Sequence, residues 1–351
     1  MTHRERILAT FRFGQTDRLG YDLMEGAPWP ELSDWFRRER GLPTAEEILN
    51  FLDVDCRWSG MKYVGPTDAM WADYCSHESN LTYSDVVCRR PLADACTVAD
   101  VEAHDWPDPA WWQPGDYRAM RERYPDHALV AGPPWMPLFC YGCVAFGMEG
   151  ILVKMLDCPT VVEAFMERLT DIYMDMLKRH LEAAKGVLDV IYLADDWAGN
   201  DGLVMGPESW RRFIKPHLSR YTRLIADYGM PSMMHSCGSV RSVLPDLIDI
   251  GLNGLSVFQT VTAGMHADDI ARHFGGKMVF YGGIDSSRLL VSGSTEQVRA
   301  EVRSNFEAFS RCGGYIAANS HHGIANARPE NLIAISESAH QCRHKKTQPE
   351  S

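Results

Sequence analysis

An α/β fold, and within that class a single (β/α)8 TIM barrel with an irregular N-terminal region, is the architecture the sequence predicts, on three observations. Beyond Leu129, short apolar runs with β-branched residues alternate with longer segments of helical period, the pattern of parallel strands joined by helices. These strands recur at intervals of roughly 20 to 45 residues, a spacing that suits a closed barrel or a doubly wound open sheet. No GxGxxG follows the first strand and no GxxxxGK(S/T) occurs anywhere, so the usual signature of the open nucleotide-binding sheets is missing.

Taken in order, the chain opens with Thr2 and Glu5 spaced as a capping box ahead of Ile7, Leu8 and Phe11, which predicts a short amphipathic helix that caps the fold. From Tyr21 to Pro134 the chain is rich in Trp, Pro and Gly and reads as irregular, apart from a helix over Thr44–Phe51 and a hairpin around Arg57–Leu92. The strand runs are ALVAG near 130, VIYLA near 192, MPSMM near 233, LSVFQ near 256, MVFYGG near 280 and YIAA near 316. A second capping box, Thr160 to Glu163, starts a helix whose Val162, Phe165, Leu169, Ile172 and Met176 share one face before Gly186. Another helix is expected from Pro207 to Tyr228, ended by Gly229. One barrel domain then covers residues 1–344, and 345–351 form a polar, mobile tail.

Composition narrows the function classes. At 351 residues with 45% hydrophobic and 23% charged residues, the chain can bury a sizeable core. A formal charge of −12 with no basic run argues against nucleic acid as a partner. MTHRERILATF lacks the apolar region of a secretory signal, and no stretch approaches the ~18 apolar residues that span a bilayer, so a cytoplasmic protein without membrane partners is expected. Ten cysteines scattered through such a chain read as reduced thiols, some of them metal ligands.

Barrel enzymes carry their chemistry at the C-terminal ends of strands. The polar residues there are Asp195 and Asp196, His235 and Cys237, Gln259, Asp285, and Ser320, His321 and His322. His235-Ser236-Cys237-Gly238 is the most informative, because alternate residues leaving a strand point to one side and can offer imidazole and thiolate to one cation, while the glycine permits a tight turn. An isolated H-x-C more often fills space; His321 or His322, arriving at the same barrel face, would complete three N/S ligands with one position open, as in catalytic zinc sites. Asp195 and Asp196 can equally cap a helix or form a salt bridge as serve a substrate or metal, and they stand with Cys312 as the next candidates for a third ligand if neither histidine is one; Asp285 can cap the next helix. Cys140-x-x-Cys143 could mark a redox pair or half a zinc site, but no second CxxC completes it.

DDW followed by GLVMGPESWRRFIKPHLSRY, then MHSCGSVRSVLPDLIDIGLNGLSVFQ, VFYGGIDSSRLL, and GGYIAANSHHG with ARPEN resemble the uroporphyrinogen decarboxylase superfamily, particularly its cobalamin-linked methyltransferase branch. The likeness runs from the helix at Thr2 through Leu332 and is specific in the second half. It implies a barrel with a funnel at its C-terminal face, zinc held by His235, Cys237 and a third ligand after the last strand, and a corrinoid. SHHG stands where that branch has its third ligand, a Cys, so His321 or His322 takes that role. The resemblance further implies transfer of a methyl group between a small substrate, as donor or acceptor, and the corrinoid. No D-x-H-x-x-G attachment motif is present, so the corrinoid would arrive on a separate carrier protein. Asp195 or Asp196 would position substrate or shuttle a proton, and Asp285 would hold a polar substrate group. True uroporphyrinogen decarboxylases carry an arginine-bearing PxWxMRQAGR loop; GAPWPELSDWFRRERG shares only its Pro-Trp and nearby arginines, which argues against a substrate bearing many carboxylates. The alternative on the same barrel is a decarboxylase or lyase of a small carboxylated substrate working without corrinoid.

Overall fold

A computed structural model describes residues 1–24, 29–66, 89–134, 138–321 and 326–343. Eight strands run parallel in one curled sheet: β1 (Gly20–Tyr21), β2 (Cys56–Gly60), β3 (Ala128–Gly132), β4 (Val190–Ala194), β5 (Ser232–His235), β6 (Gly254–Phe258), β7 (Val279–Ile284) and β8 (Tyr315–Asn319). Their spatial order is β1-β8-β7-β6-β5-β4-β3-β2, so every strand but the first lies beside its sequence neighbour. The two outer members meet where Asp55 N–H donates to Tyr21 O at 2.9 Å and the Asp55 carboxylate accepts from Tyr21 N–H at 2.8 Å. The sheet thus curls back on itself in the manner of a TIM barrel. All six strand runs expected beyond Leu129 are present.

Period-two alternation divides the apolar side chains between two compartments. Val130, Val190, Met233, Val279 and Ile316 pack together inside the curl with Cys56 and Ala128, while the adjacent Leu129, Ile191, Met234, Phe280 and Ala317 join the larger cluster beneath the surrounding helices. The floor of the inner compartment is closed by Ile7, Phe11 and Phe13 from and just after α1 (His3–Phe11). Thr2 Oγ1 accepts from Glu5 N–H at 3.1 Å and Glu5 Oε2 from Thr2 N–H at 2.9 Å, so the expected capping box is formed and α1 does cap the fold.

Four expectations are corrected or refined. The region read as irregular holds β2 and helices Pro30–Arg40, Ala45–Phe51, Val98–Glu102 and Tyr117–Arg123; the helix at 45–51 follows the expected Thr44 cap. The hairpin around Arg57–Leu92 is not formed by its described part, because Cys56–Gly60 pairs in parallel with Ala128–Gly132, and Lys62–Tyr63 pairs antiparallel with Trp112–Gln113. The helix expected to be capped by Thr160 starts instead at Pro159 and runs to Ala184, since proline at the first helical position has its φ preset and lacks an N–H that would be orphaned there. The segment 207–228 is two helices, Pro207–Phe213 and Lys215–Asp227, broken at Ile214 because Pro216 cannot donate the helical bond. Among the described residues no single helix is long and apolar enough to cross a membrane. The tail 345–351 lies outside the described residues.

Candidate metal centre at the barrel mouth

β4 and β5 are neighbours in register, with Ala194 opposite His235, so the residues leaving both strands emerge side by side. His235 closes β5 with the inward parity of Met233 and is 1% exposed. Two residues on, the Cys237 N–H donates to Asp196 Oδ1 at 2.7 Å, which ties the two loops together. Gly238 follows at φ +80°, where a Cβ would stand 2.5 Å from Gly199 O; only glycine lets this turn lie on the ribbon of Ala198–Gly199 and Gly202–Leu203. Its N–H is held by Gln259 Oε1 at 2.7 Å, and Gln259 Nε2 in turn donates to Ser320 O after β8.

These constraints bring three unlike donor atoms together. His235 Nε2 is 3.5 Å from Cys237 Sγ and 3.7 Å from Asp196 Oδ1, and donor atoms of the three residues all lie within 4.8 Å of one another. Ligand bonds of about 2.0–2.3 Å arranged tetrahedrally separate their donors by about 3.3–3.8 Å, a range that holds both measured separations from His235 Nε2, so imidazole, thiolate and carboxylate here are a candidate set for one zinc ion with a position open. His235 Nδ1 is 2.9 Å from Tyr192 OH. With the proton on Nδ1 donated to that oxygen, the Nε2 lone pair faces Cys237, the arrangement expected of a metal-ligating histidine. Tyr192→Phe is expected to weaken zinc binding about 10- to 100-fold while leaving thermal stability close to the parent's, measured by competition with a chromogenic chelator.

The remaining candidates are placed differently. The His321 ring lies edge-on to His235 with centroids 6.3 Å apart, and His321 is not one of the three converging donors. β4 adjoins β5, which sets Asp196 beside the H-x-C pair, while the loop after β8 reaches the same mouth and brings the His321 ring against His235. His322 lies outside the described residues. Asp195 is buried and its carboxylate is committed, accepting from Phe139 N–H at 3.0 Å, Cys140 N–H at 3.2 Å and Trp197 Nε1 at 2.7 Å. It thereby holds the first turn of helix Leu138–Phe146, and burial pushes its pKa up to about 6. Asp285 likewise accepts from the Ser287 N–H at 2.9 Å, the Ser287 hydroxyl at 2.7 Å and the Leu289 N–H at 3.3 Å, securing the turn after β7. Burial raises both thiols of Cys140 and Cys143, the latter to about 12, the opposite of the lowered pKa that marks a reactive thiolate.

Beneath the metal cluster lies a network that sequence reasoning passed over. Trp58 packs edge-on against Tyr192 at 4.9 Å and donates through Nε1 to Asp22 Oδ2 at 2.8 Å, and the Tyr281 hydroxyl donates to the same oxygen. Alternation within VIYLA was the available signal, because it puts Tyr192 on the inward face. Asp22 is completely buried, and desolvation, partly offset by these hydrogen bonds, raises its pKa to about 6. A carboxyl whose folded pKa lies above its unfolded value contributes stability that is present below pH ~4 and lost as pH rises through ~6. The stability difference between Asp22→Asn and the parent should therefore move in the variant's favour by roughly 2 kcal/mol between pH 4.5 and 7.5, read from urea midpoints at each pH.

Comparison with known proteins follows this geometry. The chain resembles the methylcobamide:CoM methyltransferase MtaA of Methanosarcina barkeri, with 29% identity over 201 residues, 54% of this chain and 55% of that protein. It also resembles the uroporphyrinogen decarboxylase of Mycolicibacterium paratuberculosis, with 34% identity over 126 residues, 32% of this chain and 33% of the relative. The chain thus spans at most about half the length of these curated relatives. Among solved structures, a methyltransferase from Methanosarcina mazei superposes with a TM-score of 0.62 at 19% identity, covering 97% of this chain and 99% of that one, a likeness of fold. The uroporphyrinogen decarboxylase (URO-D) family model matches residues 120–342, which hold β3 to β8 and all three converging donors, and the chain belongs to that family.

Proposed function

We propose that this chain is a zinc-dependent methyltransferase that moves a methyl group between a small substrate and a corrinoid carried on a separate protein. The observation that carries the reading is the convergence of His235 Nε2, Cys237 Sγ and Asp196 Oδ1 at the C-terminal mouth of the curled sheet. The printed name of the Methanosarcina barkeri relative, a methylcobamide:CoM methyltransferase, supports it. When bound, zinc lowers the pKa of a thiol or hydroxyl-type substrate, so that the deprotonated group is available as a nucleophile at neutral pH.

The chain's own residues supply position and proton handling. His235 and Cys237 hold the ion, Tyr192 orients the imidazole, and Gln259 clamps the loop that carries Cys237. Asp196, rather than His321, is assigned as the third donor; its carboxylate also accepts the Cys237 N–H and is partly open to solvent, so it can receive a substrate proton. Asp195 and Asp285 act on loop geometry instead of on substrate.

Elemental mass spectrometry of Asp196→Ala and His321→Ala separates the ligand assignments: the first is expected to lose most of its zinc and the second to keep it. The reverse result would return the third position to the loop after β8. Methyl transfer is then assayed with a methylated corrinoid protein and a panel of thiols, against the metal-stripped chain. Full activity without metal on a small carboxylated substrate would replace this reading with the decarboxylase or lyase.

A further inference from the structure

Beside the metal cluster the barrel mouth opens into a cavity of about 570 Å³ whose walls include Asn200, Asp201, Gln259, Asp285, Ser287 and His321. Two of these residues reach the metal centre directly, since Gln259 holds the N–H after Cys237 and His321 lies against His235. Among the described residues the walls offer hydroxyls, amides and two carboxylates, and no Lys or Arg lines them.

The shortage of cations extends through the sequence. Segments 22–36, 133–153, 195–210, 259–271, 285–287 and 320–327, which follow β1, β3, β4, β6, β7 and β8, contain no Lys or Arg, and neither does 63–88. The loop after β5 carries Arg241, which pairs through Nη2 with Asp269 at 2.9 Å and lies over the face of Phe274, with Nη1 buried and without a hydrogen-bond partner among the described residues; it is not among the residues that line the cavity. Arg288 is 82% exposed and only grazes Asp285 at 3.9 Å. The backbone donors of the turn after β7 are also consumed: the N–H groups of Ser287, Arg288 and Leu289 all point to the Asp285 carboxylate, and that of Ser286 to Ser320 Oγ. Asp201, exposed at the rim, has no ion pair among the described residues.

We propose that the substrate group seated in this cavity is cationic, a small ammonium-bearing molecule, and that an anionic group is rejected. The inference deepens the methyl-transfer reading and rests on it for the role of the ligand. The open Asp201 carboxylate, beside a turn whose N–H donors are already filled, attracts a cation and repels an anion, and the discrimination comes as much from that repulsion as from the attraction.

The test is a charge series at constant shape on the zinc-loaded full chain: cysteamine, 2-mercaptoethanol and 2-mercaptoethanesulfonate, titrated calorimetrically. Cysteamine is expected to bind at least ~10-fold tighter than the sulfonate at low salt, with the ratio shrinking at high salt because Asp201 is exposed. Asp201→Asn should lower the ratio several-fold and Asp201→Lys should bring it to unity or below. Equal or tighter binding of the sulfonate, or a ratio untouched by both variants, overturns the proposal. Zinc content is measured on the same samples: bound zinc with the wrong charge order defeats this inference and leaves the methyltransferase standing. If zinc is not retained, ethanolamine against isethionate poses the same question without a thiol, with the same two outcomes deciding it.

Discussion

Cys237→Ser is expected to strip the protein of zinc and of methyl transfer together while the fold survives. Cys237 supplies the single sulfur in a set whose other donors are a neutral imidazole and a carboxylate, so serine removes the ligand that carries negative charge in softest form. Loss of an outer partner costs about 10- to 100-fold in metal affinity, and loss of a ligand should cost more, at least ~100-fold. The barrel does not need the ion to fold: its inner compartment is filled by apolar side chains from every long strand and floored by α1. Elemental mass spectrometry should find about one zinc per parent chain and almost none in the variant, with overlapping circular dichroism melts for the two metal-free proteins. A variant that keeps its zinc would remove Cys237 from the ligand set.

Asp55→Ala should cause the largest loss of stability. The Asp55 side chain is fully buried and accepts from Arg6 Nη1 at 2.6 Å, from both terminal nitrogens of Arg18 at 3.0 Å, from His3 Nδ1 at 2.7 Å and from Tyr21 N–H. Both guanidiniums are themselves about 95% buried and would keep only partly exposed partners, Asp17 for Arg6 and Asp53 for Arg18, so removing the carboxylate leaves two buried charges under-compensated. It also breaks the side-chain link that ties β1 to β2. Breaking a buried pair by deleting one partner costs about 3–5 kcal/mol, and here several donors lose their acceptor at once. The urea midpoint should fall accordingly, with the melting temperature lower by roughly 4–7 °C. Glu208→Gln is the control; its pair with Arg211 is 89% exposed on the acidic side and should leave both quantities at the parent's values. A parent-like melt for Asp55→Ala would mean that the network is not what closes the sheet.

How far the fold could be read before the structure depended on how much of each strand is apolar. VIYLA and VFYGGI announce themselves because six of the inner strands are covered on both faces and need near-continuous hydrophobic runs. Gly20–Tyr21 has only two residues of ladder, and Cys56–Gly60 reads CRWSG, where Arg57 is buried only because it is bound to Glu46, Asn50 and two carbonyls. No periodicity marks a strand whose burial is made possible by partners elsewhere in the chain.

The same division runs through the site. His235 and Cys237 were legible because their two-residue spacing is local, and a strand end of that spacing presents both side chains to one point. On the proposed assignment the third group is a matter of tertiary structure: Asp196 converges with the pair because β4 is the hydrogen-bonded neighbour of β5, while His321 reaches the His235 ring from β8. The carboxylates were legible as polar residues at strand ends, but only packing separated Asp196, open to the cluster, from Asp195 and Asp285, whose oxygens are occupied by backbone N–H groups. The sequence by itself determined the alternation of strand and helix, the inward and outward faces of the later strands and the H-x-C pair, since each depends on residues close along the chain. Tertiary structure alone brought Asp196 to that pair, Tyr192 to His235 and the walls of the cavity together, because each joins side chains whose proximity is created by the closing of the sheet.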